Sequence, residues 1–153
     1  MKISPFIGEV TLAYARKKAK RSGLLFNEQL KKAIEEEYRA FYFYKYMLKL
    51  TDDPYWQSFI KHAMEDEKSH YEMFQQLHYM LTGQFVQNPD KPKPATNLKQ
   101  AAKDSLVDEL EATEFYKEML LTIPIPEAYN PLFIAMHDEM EHAIRFSTIY
   151  NAL

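Results

Sequence analysis

Residues 37–48 read EYRAFYFYKYML and residues 109–120 read ELEATEFYKEML; farther on, DEKSH at 66–70 returns as DEMEH at 138–142. One offset of 72 residues, without a gap, joins all of these. Glu37 falls on Glu109, Ala40 on Ala112, Phe43-Tyr44-Lys45 on Phe115-Tyr116-Lys117 and Met47-Leu48 on Met119-Leu120. Pro54 then falls on Pro126, Ala63-Met64 on Ala135-Met136, Asp66-Glu67 on Asp138-Glu139, and His70, Phe74 and Leu81 on His142, Phe146 and Leu153. Fifteen of the 45 positions from 37 to 81 are identical at this offset, far above the few that chance would give. The chain carries one helical hairpin twice.

Working outward, four long segments show an apolar period of 3.6 residues, the mark of an amphipathic helix. The first is expected from about Asn27 to Leu50. Asp52-Asp53-Pro54 supplies a stop, a cap and a proline suited to a first helical turn, so the second helix runs from there to about Thr82. Residues 83–96 contain Pro89, Pro92 and Pro94 and read as a long connection. Asn97 or Thr96 caps a third helix to about Leu121. Pro124, Pro126 and Pro131 interrupt the chain, and a fourth helix follows from Asn130 or Pro131 to the end. Short turns make each pair an antiparallel hairpin. The middle connection, about 14 residues, spans ~45 Å when extended, enough for a crossover along a bundle. The expectation is an all-α four-helix bundle, with hairpins at 27–82 and 97–153 and a crossover at 83–96.

Composition narrows the chemistry. The 153 residues suffice for one domain, 46% are hydrophobic, and only three are glycine. A net charge of −3 argues against a nucleic-acid partner. Cysteine is absent, which excludes disulfides, thiolate nucleophiles, zinc-thiolate sites and cysteine-ligated iron–sulfur centres, so any metal is expected on carboxylate and imidazole. The apolar patch Ile7–Ala15 is broken by Glu9 and followed, not preceded, by basic residues, the wrong order for a signal peptide. No segment approaches the ~20 apolar residues of a membrane span, and a cytoplasmic location is expected. In residues 1–26, Arg16, Lys17, Lys18, Lys20 and Arg21 form a basic cluster. This segment is expected to be an arm or short helix packed on the bundle; the alternative is contact with a membrane surface or an anionic partner.

On each helix the inward stripe is apolar except at one level. Helix one reads Leu30, Ala33, Glu37, Ala40, Tyr44, Met47, and helix two Trp56, Ile60, Ala63, Glu67, His70, Phe74, Leu77. Helix three reads Ala102, Ser105, Glu109, Ala112, Tyr116, Met119, and helix four Leu132, Ala135, Glu139, His142, Phe146, Ile149. Four unpaired carboxylates at one level of a core would be strongly unfavourable, and no lysine or arginine lies on these stripes near that level. Two divalent cations remove the cost, since four negative charges and two neutral imidazoles then sum to zero. Glu-x-x-His places both side chains on one helix face, within reach of one ion. The expected ligands are therefore Glu37, Glu67, His70, Glu109, Glu139 and His142. A duplicated hairpin that has lost metal and keeps protonated carboxylates is the alternative.

The motifs Glu37-x-x-Ala-x-x-x-Tyr44, Glu67-x-x-His70, Glu109-x-x-Ala-x-x-x-Tyr116 and Glu139-x-x-His142 resemble the ferritin-like di-iron carboxylate proteins, within them the rubrerythrin and bacterioferritin branch, over residues 27–153. The resemblance implies that Glu67 and Glu139 bridge two irons, while Glu37, Glu109, His70 and His142 each bind one; manganese or zinc suits the same donors. It also implies oxidation of Fe(II) by dioxygen or hydrogen peroxide, as ferroxidase or peroxide scavenger. Two departures are visible. Rubrerythrins place a further carboxylate where Ala112 stands, and they usually carry a cysteine-ligated rubredoxin domain. Electrons are thus expected from a separate donor protein, not identified by the sequence, or from the ferrous substrate.

Around these ligands, Asp66 and Asp138 are expected to accept the free N–H of the histidine on the opposite hairpin, fixing its tautomer. Tyr44 and Tyr116 are expected to pack beside the centre rather than take a redox role. His62, His78, His137, Glu65, Glu111, Glu114 and Glu141 lie off the stripe or lack a repeat mate and are expected at the surface. Functional rivals are a structural or metal-buffering bundle and a di-iron hydroxylase of an organic substrate, which would need an apolar access pocket. A homodimer is expected, with hairpins closed within each chain or exchanged between chains.

Overall fold

The computed structural model describes the backbone of residues 5–153 and the side chains of residues 23 and 25–153. Four helices carry the fold: α1 (Pro5–Met47), α2 (Pro54–Thr82), α3 (Leu98–Leu120) and α4 (Tyr129–Ala152). Single 3-10 turns at Leu48–Leu50 and Pro126–Ala128 lie at the α1–α2 and α3–α4 bends, and no strand occurs among the described residues. The most extensive contacts are between α1 and α2 and between α3 and α4; α2 also packs on α4, whereas α1 and α3 touch only sparingly. No described helix is long and apolar enough to cross a membrane.

The ends form where local chemistry demands. The Asp53 carboxylate accepts the Tyr55 backbone N–H at 2.8 Å, and Pro54 supplies a first-turn residue that needs no hydrogen bond. Helix α2 closes at Gly83, whose φ of 74° lies in the left-handed region and whose N–H donates to the Tyr79 carbonyl at 2.7 Å. Asn97 caps α3 by accepting the Gln100 N–H at 2.8 Å.

Helix α1 does not begin near Asn27 as the pattern suggested; it runs unbroken from Pro5. Between Pro5 and Asn27 there is no proline, and the alanines, leucines, lysines and arginines there favour helix. Asn27 is no stop, because Phe26 and Leu30 on either side of it are buried and hold that turn in the bundle. How the side chains of Arg16, Lys17, Lys18, Lys20 and Arg21 lie is outside the described residues.

The core divides into two apolar layers. One holds Phe74, Leu77, Tyr116, Met119, Leu132 and Ala135, with Phe26, Leu30 and Ile34 beneath. The other holds Phe146, Ile149, Tyr44, Met47, Ile60 and Ala63. The 72-residue offset carries these six residues of one layer onto the six of the other, so the repeat is also a rotation of the core about its middle. In that middle sit the polar residues. The connection 83–97 has no regular structure but is fastened to α2: Gln75 donates to the Val86 carbonyl at 2.8 Å and accepts the Val86 N–H at 2.9 Å. Beyond it, Lys91 lies 4.2 Å from the Tyr42 ring of α1.

The two described glycines give opposite expectations. Gly83→Ala places a side chain in a left-handed conformation and should lower stability by ~1 kcal/mol. Gly23→Ala lies within α1 with open space around the added carbon and should raise stability by ~0.5–1 kcal/mol. Urea unfolding of both variants measures this, and equal signs would contradict the backbone described.

Candidate metal centre

All six residues singled out on the stripes are buried side by side: Glu37, Glu67, His70, Glu109, Glu139 and His142 are each no more than 3% exposed. Their donor atoms form two groups. One is Glu37, Glu67, His70 and Glu139; the other is Glu67, Glu109, Glu139 and His142; within each, one donor atom per residue lies within 4.8 Å of the others. Glu67 and Glu139 belong to both. All six belong to the one chain described.

The surroundings aim these donors inward. His70 Nε2 lies 3.0 Å from Asp138 Oδ2, and His142 Nε2 lies 3.1 Å from Asp66 Oδ2. Each aspartate thus takes the outer N–H of the histidine across the bundle and turns Nδ1 to the interior. His70 Nδ1 there stands 3.2 Å from Glu139, 3.5 Å from Glu37 and 3.8 Å from Glu67, with no hydrogen-bond partner. Glu37 Oε2, Glu67 Oε1 and Glu139 Oε1 are likewise buried and unpartnered. Buried oxygen and nitrogen atoms that converge in this way call for positive charge, supplied by a proton on each imidazole or by a cation between them. A divalent cation in each group meets that need, and the oxygen and nitrogen donors fit iron, manganese or zinc.

Tyr116 donates its hydroxyl to Glu37 Oε1, and Tyr44 donates to Glu109 Oε1, each reaching from the other hairpin. Each tyrosine occupies one oxygen of its glutamate. In Glu37 the free oxygen is Oε2, turned to the centre. Burial, then the neighbouring glutamates, raises both phenol pKa values, so the donating protons stay in place.

A cavity of ≈ 390 Å³ reaches the centre between α1 and α3. Glu37, Glu67, Glu109 and Glu139 lie at its inner end and Ala40, Phe43, Ala112 and Phe115 along its sides. The spacing of the stripes gave no sign of it, because a void appears only when helices are set at their true separation. Glu36 and Asp108, at its rim, are repeat mates that each precede a ligand candidate. The same offset that exposed Asp66 and Asp138 could have singled them out.

Of the residues expected at the surface, His62, His137, Glu65, Glu111 and Glu114 are exposed and Glu141 is partly so. His62 also lies 3.2 Å from Asp66 and 3.5 Å from Glu141. His78 corrects the expectation: it is 4% exposed, because the chain turns back at Gly83 and lays the Gln84 carbonyl 2.7 Å from its Nδ1.

No family model and no curated protein matches this sequence. A solved structure, a hypothetical protein from Pyrococcus furiosus, matches with a TM-score of 0.74 at 21% identity, over 82% of this chain and 88% of that one. The likeness is one of fold.

Charge in the metal-free protein has a definite pH sense. Burial, then Glu67, pushes the Glu37 carboxyl up to about 8, and burial, then Glu139 and Glu67, raises Glu109 as well. For His70 and His142, burial favours the neutral ring but the carboxylates around each outweigh it and raise the pKa. The raised glutamates penalise the folded state progressively from pH ~4.5 up to about 8. The histidines contribute stability that is complete below pH ~6.5 and is lost above it. Glu67, Glu139 and Asp66 are lowered, against burial, by hydrogen bonds to histidines and, for the two glutamates, to neighbouring carboxyls. Their contribution disappears only in stronger acid. The chelated protein should therefore melt ~5 °C or more higher at pH 5.5 than at pH 8. The metal-loaded protein should show the reverse, since protons compete for the donors. Calorimetry at both pH values, with chelator and with metal, tests the assignment; a chelated protein that gains stability from pH 5.5 to 8 would refute it.

The two groups also predict unequal losses. Glu67→Ala or Glu139→Ala removes a donor common to both and should cost at least one metal equivalent. Glu37→Ala should spare the ion beside His142. Elemental analysis after dialysis against manganese or zinc reads this, and full occupancy in Glu67→Ala would sink the shared-donor arrangement.

Proposed function

We propose that this chain is a ferritin-like di-iron carboxylate protein, two repeated hairpins joined by a crossover, that oxidises ferrous iron with dioxygen or hydrogen peroxide. The carrying observation is the pair of donor groups that share Glu67 and Glu139. Single-ion sites have no need of a shared pair, whereas two adjacent ions do. When bound, two irons cycling between the ferrous and ferric states supply two electrons to an oxidant.

The chain's own residues prepare the site for that change of charge. Four glutamates balance two ferrous ions. Asp66 and Asp138, behind the imidazoles, bring the total to six carboxylates, which matches the six positive charges of two ferric ions. The tyrosine hydroxyls hold Glu37 and Glu109 in one orientation, and the apolar layers above and below exclude water. The opening between α1 and α3 leaves one side for the oxidant. Glu67 and Glu139 are read as bridges, and Glu37, Glu109, His70 and His142 as ligands of one ion each.

Anaerobic titration should give two ferrous ions per chain. Mixing with hydrogen peroxide or dioxygen in a stopped-flow instrument should then give a rise in ferric absorbance within seconds. A faster reaction with peroxide identifies a scavenger; a faster reaction with dioxygen, followed by mineral growth, identifies a ferroxidase. A protein that binds two ferrous ions but oxidises them no faster than free iron, with either oxidant, leaves only the structural or metal-buffering alternative.

A further inference from the structure

We propose that the cavity between α1 and α3 is a binding chamber for a compact, apolar organic molecule that carries no negative charge, held directly against the glutamates of the centre. The inference rests on the di-iron reading only for what such a ligand would face. At ≈ 390 Å³ the cavity falls in the range of small-molecule sites. An apolar cavity of about 150 Å³ already takes up benzene, so one or two rings fit here. Dioxygen and hydrogen peroxide need far less room.

The lining indicates the class of ligand. Ala40 and Phe43 on α1 and their repeat mates Ala112 and Phe115 on α3 line the two sides. The alanines help keep the space open, since a larger residue at either position would intrude on it. Deeper in, the Tyr44 and Tyr116 hydroxyls are already committed to Glu109 and Glu37 and present ring surface to a guest. The cations at the mouth are committed too: Lys32 lies 3.5 Å from Glu36 and Arg39 lies 3.6 Å from Glu35. Asp108 and Glu111 stand on the α3 side and repel an anion. Lys32 Nζ also lies 4.8 Å from the Phe115 ring, so this side chain from α1 reaches across the mouth to α3. It is 61% exposed.

The test uses protein loaded with zinc, which is diamagnetic, and 4-fluorotoluene followed by fluorine NMR, together with spectra of labelled methyl groups. Saturable binding with Kd below about 1 mM and shifts at the Ala40 and Ala112 methyls are expected. Ala40→Leu or Ala112→Leu should weaken binding at least tenfold while zinc content stays at the parent value. Absence of saturation, shifts confined to Met140 and Ile144 on the outer face of α4, or leucine variants that bind as well as the parent would overturn the proposal. If both leucine variants fail to fold, the methyl shifts of the parent decide alone. Zinc content separates the two ideas. Probe uptake without metal refutes the di-iron reading and keeps the chamber, and a full metal complement without probe uptake refutes the chamber and keeps the reading.

Discussion

Four carboxylates buried at one level between two apolar layers form the constraint on which the rest of this structure depends. Left to themselves they repel, and burial removes the water that would screen them. Every polar contact near that level answers this condition. Two histidines enter with their inner nitrogens among the carboxylates, two aspartates hold the outer nitrogens, and two tyrosines each occupy an oxygen of Glu109 or Glu37. The unsatisfied atoms of Glu37, Glu67, His70 and Glu139 lie within one small volume. The apolar layers can be ordinary because the polar layer is so fully specified.

Much of this was legible in the sequence because helices translate spacing into direction. Glu37, Glu67, Glu109 and Glu139 interrupt otherwise apolar stripes, and a 3.6-residue period is enough to place them inward. The aspartate partners were legible through the repeat, since Asp66 and Asp138 precede matching ligands. Other features depend on distances between elements, which no period encodes. The tyrosines were assigned to packing, yet their hydroxyls reach carboxylates 65 and 79 residues away. The cavity arises because α1 and α3 stand apart over Ala40 and Ala112, and small residues in a stripe look like any tight helix contact. His78 looked like a surface residue because its burial is produced by a turn, not by its own helix. The start of α1 was misplaced for another reason: residues 5–26 were read apart from the stripe, yet after Pro5 they contain no proline to stop a helix.

The long connection shows how local chemistry supports the site at a distance. The amide of Gln75 meets both backbone groups of Val86, and Tyr71 donates to Asn88 at 2.5 Å. These bonds lay the chain along α2 and leave Pro92 at the edge of the cavity. A loose tether of the same length would still join the hairpins, but it would not close that edge.

The offset that exchanges the two apolar layers also exchanges the contacts across them: Tyr44 with Glu109 becomes Tyr116 with Glu37, and His70 with Asp138 becomes His142 with Asp66. That is the pattern of an isologous interface, in which one patch meets its own copy, here enclosed in a single chain. In a true dimer of identical subunits every change appears on both sides at once. Joined by a connection, the halves can change separately, and they have done so: Ser105 stands opposite Ala33 in the repeat, Leu110 opposite Tyr38, Ala143 opposite Tyr71 and Ile134 opposite His62. Two donor groups with matched members therefore sit in halves whose other residues differ, and selection can adjust one half without disturbing the other.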